Sequence, residues 1–272
     1  MANTIGFTAG DEEIPQTSTA WPAEESPAPP RRSVVQVFFP DSRRKLSYYN
    51  DQFDLHCGDL VYVEGKLEGQ LGRVAEVNYN FKIRISEYKR VIALVDTAVQ
   101  GEFCVAGAQL ITFDPGSLPY SKVLRWFKAP EKEGEIYASG NDDSAFRLDD
   151  LKEMKIAPEI AERGVDYYKN DRVRCICLDG PHGRAIVEGE AFYEVEFEYC
   201  SGEISSLVCT CPCCYTCKHE FAAMLQLRET LEYITNLFSR EYERTGYFIS
   251  VEKSVLLGFV LDHMESGRIT FG

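Results

Sequence analysis

The sequence contains no apolar run near the roughly 20 residues that a membrane-spanning helix requires, so no membrane contact is expected of it. It does not open on a positively charged segment followed by an apolar stretch, and no secretory leader is read there. Basic residues are in short supply: 29 Lys and Arg stand against 43 Asp and Glu, a formal net charge of -14. Such a chain does not gather polyphosphate by bulk attraction. Any nucleic-acid contact needs a local basic patch working against the overall field. Histidine is scarce, with four residues in 272. His56, His182 and His263 are scattered, and each is read as a surface or packed residue rather than a base. A Ser-His-Asp spacing, a Gly-rich phosphate loop ending in Gly-Lys-Ser/Thr and a His-Glu-x-x-His helix are all missing. No internal repeat is present. These absences point away from an enzyme.

Cysteine is what the sequence does have. Five of its ten cysteines fall in Cys209-Thr-Cys-Pro-Cys-Cys-Tyr-Thr-Cys-Lys-His219. Thiolates this dense repel one another unless they share a cation or are oxidised. Zinc, the simplest such cation, takes four ligands in a tetrahedron from Cys sulfur and His nitrogen, and closed sites of that kind are usually structural. Residues 203–209 read as a strand, on which positions two apart point the same way, so Cys209 and Cys211 pair. Cys217 and His219, also two apart, open a long helical segment. The expected metal ligands are therefore Cys209, Cys211, Cys217 and His219, with Pro212 in the knuckle between the pairs. Cys213 and Cys214 compete for the same roles, and Cys214-Tyr-Thr-Cys217 is itself a CxxC. That motif gives a thiol-redox reading, although such motifs usually accompany a βαβ pattern that is missing here. An iron–sulfur cluster would leave His219 without a role. Cys175 and Cys177 share one face of a strand. They form a second metal pair or, on the blander reading, two small apolar core residues. Ten cysteines of metal-type spacing without a leader fit a reducing compartment, and a cytoplasmic location is expected.

Cys-x-Cys-x5-Cys-x-His followed by Lys218-His-Glu-Phe-Ala-Ala-Met-Leu225 resembles the SWIM-type zinc finger. Upstream, Arg163-Gly-Val-Asp-Tyr-Tyr-Lys-Asn-Asp-Arg-Val resembles the opening of that family. Gly183-Arg-Ala-Ile-Val-Glu-Gly and Tyr193-Glu-Val-Glu-Phe resemble its paired strands. The likeness covers roughly residues 160–230. It implies a ββα module, folded by a structural Zn2+, that binds DNA or protein without chemistry of its own. SWIM fingers also occur attached to Snf2-type helicases, which makes a Snf2-type ATPase a candidate partner in trans.

The rest of the chain divides around this stretch. Residues 1–33 are acidic and hold five of the 12 prolines, with few apolar residues, and read as a disordered tail in which Trp21 is the one candidate anchor. Residues 34–113 carry short alternating runs at 34–39, 46–49, 59–64, 71–77, 81–85 and 91–95, with 103–113 as a further strand closing the sheet. This is the pattern of a small β-barrel or open sheet. Gly58-Asp-Leu-Val-Tyr-Val-Glu and Gly72-Arg-Val-Ala-Glu-Val resemble the SH3-like barrel of KOW motifs and the N-terminal domain of the primosomal helicase PriA. Lys82 and Arg84 on one side of the 81–85 strand, with Arg73, Lys89 and Arg90 nearby, form the candidate nucleic-acid surface.

Residues 114–162 read as a linker with short helices at 121–128 and 149–163. Asp142, Asp143, Asp149 and Asp150 are read there as helix-start carboxylates rather than a metal cluster. In 192–199, Tyr193, Val195, Phe197 and Tyr199 alternate with Glu194, Glu196 and Glu198, giving one buried face and one carboxylate stripe that would repel phosphate. A long helix over 218–238, a charged continuation ended by Gly246, a helix over 254–266 and an edge strand at 268–271 complete the reading.

The expected fold class is α+β: a small β-barrel or open sheet over 34–113, a linker over 114–162, and a zinc module with a long helix and C-terminal helices over 163–272. The expected function is a non-enzymatic zinc-binding protein that recognises DNA or protein. The alternatives are an accessory subunit of a Snf2-type ATPase and a thiol redox protein using Cys214 and Cys217.

Overall fold

Alternation along the chain builds two largely antiparallel sheets, which a computed structural model places in two separate units. It describes residues 3–6, 30–131, 140, 144–261 and 268–271. One unit comprises Gly6–Asp96 with Arg125–Lys132; the other comprises Met1–Ile5, Thr97–Leu124 and Glu133–Gly272. The fold is mixed α and β, with five α-helices among the described residues. No described helix is long and apolar enough to cross a membrane. The acidic, proline-rich stretch and Trp21 lie outside the described residues. Asn3–Gly6, expected within the disordered tail, is strand β1.

The first sheet follows from β-branched residues at every second position. Its strands are β2 (Ser33–Phe39), β3 (Arg44–Asn50), β4 (Leu60–Val63), β5 (Gly72–Asn78) and β6 (Val91–Val95), in the order β3-β2-β5-β4-β6. Val35, Val37, Phe39, Tyr48, Val61, Val63 and Val74 form its core. The run at 81–85 does not become a strand. Phe81 and Ile83 still turn inward and Lys82 and Arg84 outward, but Ile85 is exposed in a 3-10 turn (Ile85–Glu87). With no neighbour to pair with, alternation alone does not make a strand.

The second sheet contains β1, β7 (Gly101–Ala106), β8 (Gln109–Thr112), β9 (Ala145–Arg147), β10 (Val173–Asp179), β11 (His182–Glu188), β12 (Phe192–Cys200), β13 (Glu203–Cys209), β14 (Tyr247–Glu252) and β15 (Arg268–Phe271). Their order is β1-β15-β7-β8-β14-β10-β11-β12-β13-β9. Two expectations change here. The 103–113 stretch is not one strand of the first sheet. It is the β7–β8 hairpin, and β8 pairs with β14. Strand β14 falls in a stretch to which the sequence reading assigns no element, yet it is buried along its whole length and sits between β8 and β10. Buried on both faces, it shows no alternation to betray it. The C-terminal strand β15 runs parallel to β7 and is not the edge, since β1 lies beyond it.

Helices α1 (Tyr120–Phe127), α2 (Pro158–Lys169), α3 (Lys218–Leu237), α4 (Ser239–Thr245) and α5 (Lys253–Leu261) complete the chain. The expected 149–163 helix splits into a 3-10 turn capped by Asp150 and α2, which starts on Pro158 at its first turn, where the missing N–H does no harm. Gly246, left-handed at φ 64°, ends α4 as expected. The long helix α3 buries Ala222, Ala223, Met224, Leu227 and Ile234 against Ile176, Leu178, Ala185, Val187, Val195 and Phe197 of the sheet. Helix α2 crosses the start of α3 closely at Gly164. A Cβ there would stand 2.9 Å from Phe221 and 3.1 Å from the Lys218 carbonyl. This contact brings the tyrosines of α2 against the first turn of α3.

Candidate metal centre

The site begins with an irregularity in β13. On β12, Glu196 and Glu198 pair with Val208 and Ser205, so two residues, Ser206 and Leu207, stand opposite Phe197 alone. Ser206 takes a left-handed φ of 53°. A bulge of this kind inverts the alternation beyond it. Ile204 points into the core before the bulge, and Leu207 and Cys209 pack against the same core after it. Without the extra residue, Cys209 would face away from α3. Pairing continues past the strand end: the Thr210 amide donates to the Glu194 carbonyl and the Glu194 amide to Thr210 Oγ1, both at 2.9 Å. The chain then turns through Cys211 and Pro212.

The other half of the site is the start of α3. Cys217 is its N-cap. The Cys217 sulfur accepts from the Glu220 amide at 3.5 Å, and Glu220 Oε2 accepts from the Cys217 amide at 2.7 Å. This is a capping box with sulfur in place of the usual hydroxyl. His219 follows one residue inside the helix. Tyr193 stacks on its imidazole at 4.5 Å between centroids, and Tyr167 of α2 meets it edge-on at 5.5 Å. Gly189 closes the third side. A Cβ there would lie 3.0 Å from His219 Nε2 and 2.9 Å from the Tyr193 ring. Nε2 is buried and makes no hydrogen bond, so Nδ1 is the nitrogen offered to the sulfurs.

The structure brings together all four residues expected from the sequence. The sulfurs of Cys209, Cys211 and Cys217 and a His219 nitrogen lie within 4.8 Å of one another, and the group could hold a metal ion. His219 Nδ1 is 3.7 Å from the Cys217 sulfur and 3.9 Å from that of Cys209. Cys211, Cys217 and His219 are buried and Cys209 is partly so. Cys213 and Cys214 are exposed and outside the group. Cys175 and Cys177 are buried on the face of β10 opposite to Ile176 and Leu178, so the sheet separates them from α3. Burial pushes the Cys177 thiol up to about 12. They form no metal group among the described residues. Cys200 is exposed beside Ser201.

The remaining charged candidates are engaged elsewhere. Asp149 pairs with Arg147, and its carboxyl is held down chiefly by that hydrogen bond. Asp142, Asp143 and His263 lie outside the described residues. His182 lies across from Glu198, and Arg184 across from Glu196, so the expected carboxylate stripe is a mixed-charge face. Glu194 accepts from the Tyr120 hydroxyl at 3.1 Å. On the first unit, Arg90 pairs with Asp51 at 2.7 Å and Arg84 with Glu87 at 3.4 Å, which neutralises part of the candidate basic face.

Without a cation the three thiols cannot all ionise. Cys217 falls to about 4, chiefly because the Cys209 thiol donates to it, with further help from His219 and the Glu220 amide. Cys209 rises far above the ordinary thiol range by giving that hydrogen bond and by burial. Burial pushes Cys211 up to about 12. At neutral pH the trio thus carries one thiolate and two protons. A divalent ion must expel both protons, and acid favours the metal-free form. Apparent metal affinity should fall roughly a hundredfold per pH unit as pH drops through the neutral range, with about two protons released from the thiols per ion. Indicator-dye titration in weak buffer measures the protons directly.

Deletion of Ser206 keeps all four ligands but turns Cys209 out of the group. It should abolish stoichiometric metal retention and lower the melting temperature about as much as chelation lowers that of the intact chain. Elemental analysis and thermal melts check both. Comparison with protein-family models, with curated proteins and with solved structures finds no match to this chain.

Proposed function

We propose that the Cys209–Cys211–Cys217–His219 group holds one structural Zn2+ and that the chain is a non-enzymatic recognition protein whose SWIM-type finger contacts another protein. The observation that carries the zinc assignment is the convergence of three sulfurs and one imidazole nitrogen within 4.8 Å. Tetrahedral zinc with sulfur at about 2.3 Å and nitrogen at about 2.0 Å has sulfur–nitrogen edges of about 3.5 Å. The separations of 3.7 and 3.9 Å between His219 Nδ1 and two sulfurs support an ion of that size. Four protein donors complete the shell and leave no position for a reactive water, which favours a structural over a catalytic ion. The redox reading is weaker, because the Cys217 sulfur is turned to Cys209 and His219 while Cys214 stands outside the group.

Protein is the favoured partner over nucleic acid. The net charge of -14 opposes a phosphate backbone. Arginines of the expected basic face are paired with carboxylates. The resemblance to SWIM fingers extends the proposal to a Snf2-type ATPase as one such partner.

Titration of the zinc-loaded chain into labelled single-stranded and duplex DNA at about 50 mM salt tests the choice of partner. The expected result is no binding up to about 10 μM, a concentration within the usual non-specific range at physiological salt and one at which non-specific binding would be plain at the lower salt used. Saturable binding that weakens steeply with added salt would overturn the protein reading in favour of nucleic acid.

A further inference from the structure

The loop between the two halves of the metal centre carries two thiols that the centre does not use. Cys213 and Cys214 are adjacent in sequence and both exposed. Neither is needed to complete the group of four. Their position is not arbitrary. Cys213 stands two residues from the ligand Cys211 and Cys214 three residues from the ligand Cys217, so the loop keeps both beside the ligands. Both thiols line a solvent-open cavity of about 560 Å3, whose wall also includes Cys209, Tyr215 and Glu220. Of the four ligands only Cys209 reaches that cavity, and it is the one that is not fully buried. Cys211, Cys217 and His219 are buried and do not line it. Cys213 and Cys214 therefore share with Cys209 the cavity through which solvent reaches that ligand.

We infer that Cys213 and Cys214 form a relay that passes a soft d10 cation, Zn2+ or Cu+, between solvent-borne carriers and the buried ligands. This rests on the reading of the centre as a metal site. Direct dissociation from a closed shell of four protein donors is slow, because a bond must break before a new one forms. A neighbouring thiol removes that requirement. One of the two gives its proton to solvent and bonds the ion as the Cys209 bond breaks, and Cys209 takes up a proton in exchange. The coordination number and the charge of the ion are kept, and no electrons are transferred. The ion, now held partly by an exposed thiolate, is open to attack by an external ligand. Loading runs through the same steps in reverse. Sulfur is the donor such an exchange requires, since serine hydroxyls do not ionise at neutral pH and bind d10 ions poorly.

The test follows zinc transfer from the loaded full-length chain to the chromophoric chelator 4-(2-pyridylazo)resorcinol, comparing the intact sequence with Cys213→Ser/Cys214→Ser. A Cys200→Ser chain, which lacks an exposed thiol far along the β12–β13 hairpin, serves as the control. The expected result is one zinc per chain in all three, affinities within about threefold of one another, and a transfer rate at least tenfold lower in the double variant only. An unchanged rate in the double variant overturns the relay and leaves the structural site standing. A hundredfold loss of affinity makes Cys213 or Cys214 a ligand and overturns the relay together with the ligand set. Failure of the intact chain to retain zinc overturns the metal reading itself. Circular dichroism of each chain separates these outcomes from misfolding.

Discussion

Three sulfurs share one small volume at the junction of β13 and α3, and that crowding constrains everything around it. Negative charge on more than one of them is tolerable only with a cation between them. The Cys217 thiol is lowered while Cys209 and Cys211 are raised, which is the response of a trio that can carry one charge alone. A divalent ion resolves the conflict by turning all three into ligands. A site that forms only when folded also couples metal binding to the stability of the elements that present it.

Each half of the centre is set by a local device with a definite physical role. The bulge at Ser206 re-aims Cys209 toward the helix, at the expense of a left-handed backbone in a residue other than glycine. The capping box at Cys217 and Glu220 fixes where α3 begins and lends the sulfur an amide at the positive end of the helix. Tyr193, Tyr167 and Gly189 confine the imidazole from three sides, so that its free rotation is lost before any ion arrives. Gly164 lets α2 approach closely enough for Tyr167 to take part. The long helix then ties the centre to the main core through Met224, Leu227 and Ile234.

Much of the centre was legible in the sequence because cysteine spacing maps directly onto geometry. Two ligands at the end of a strand and two at the start of a helix need only one turn between them. The helix α3, the strands β10 to β12 and the buried face of β12 were also legible from their periods, and β13 was legible as a strand although its bulge breaks the alternation. The bulge was not. Nothing in Glu203-Ile-Ser-Ser-Leu-Val-Cys209 announces an extra residue, and the same-face argument for Cys209 and Cys211 did not depend on it. The Cys217-x-x-Glu220 spacing carried a capping signal that sulfur in place of a hydroxyl concealed. Strand β14 escaped because a strand buried on both faces has no polar alternation. The β7–β8 hairpin was misplaced for a related reason: its partner β14 lies far along the chain, and local pattern holds no record of distant pairing. The expected basic and acidic faces were each read along one stretch of chain, whereas neighbouring segments place opposite charge against part of each, at Arg184 and Glu196 and at Arg90 and Asp51.

On the proposed assignment three thiolates and one imidazole hold the ion, with Cys213 and Cys214 outside its shell. Zinc K-edge absorption on the full-length protein, purified without added metal, reads out that shell. The expected result is one zinc per chain with three sulfur scatterers at about 2.3 Å and one nitrogen at about 2.0 Å. A shell of four sulfurs, or protein that carries no zinc at all, would contradict it.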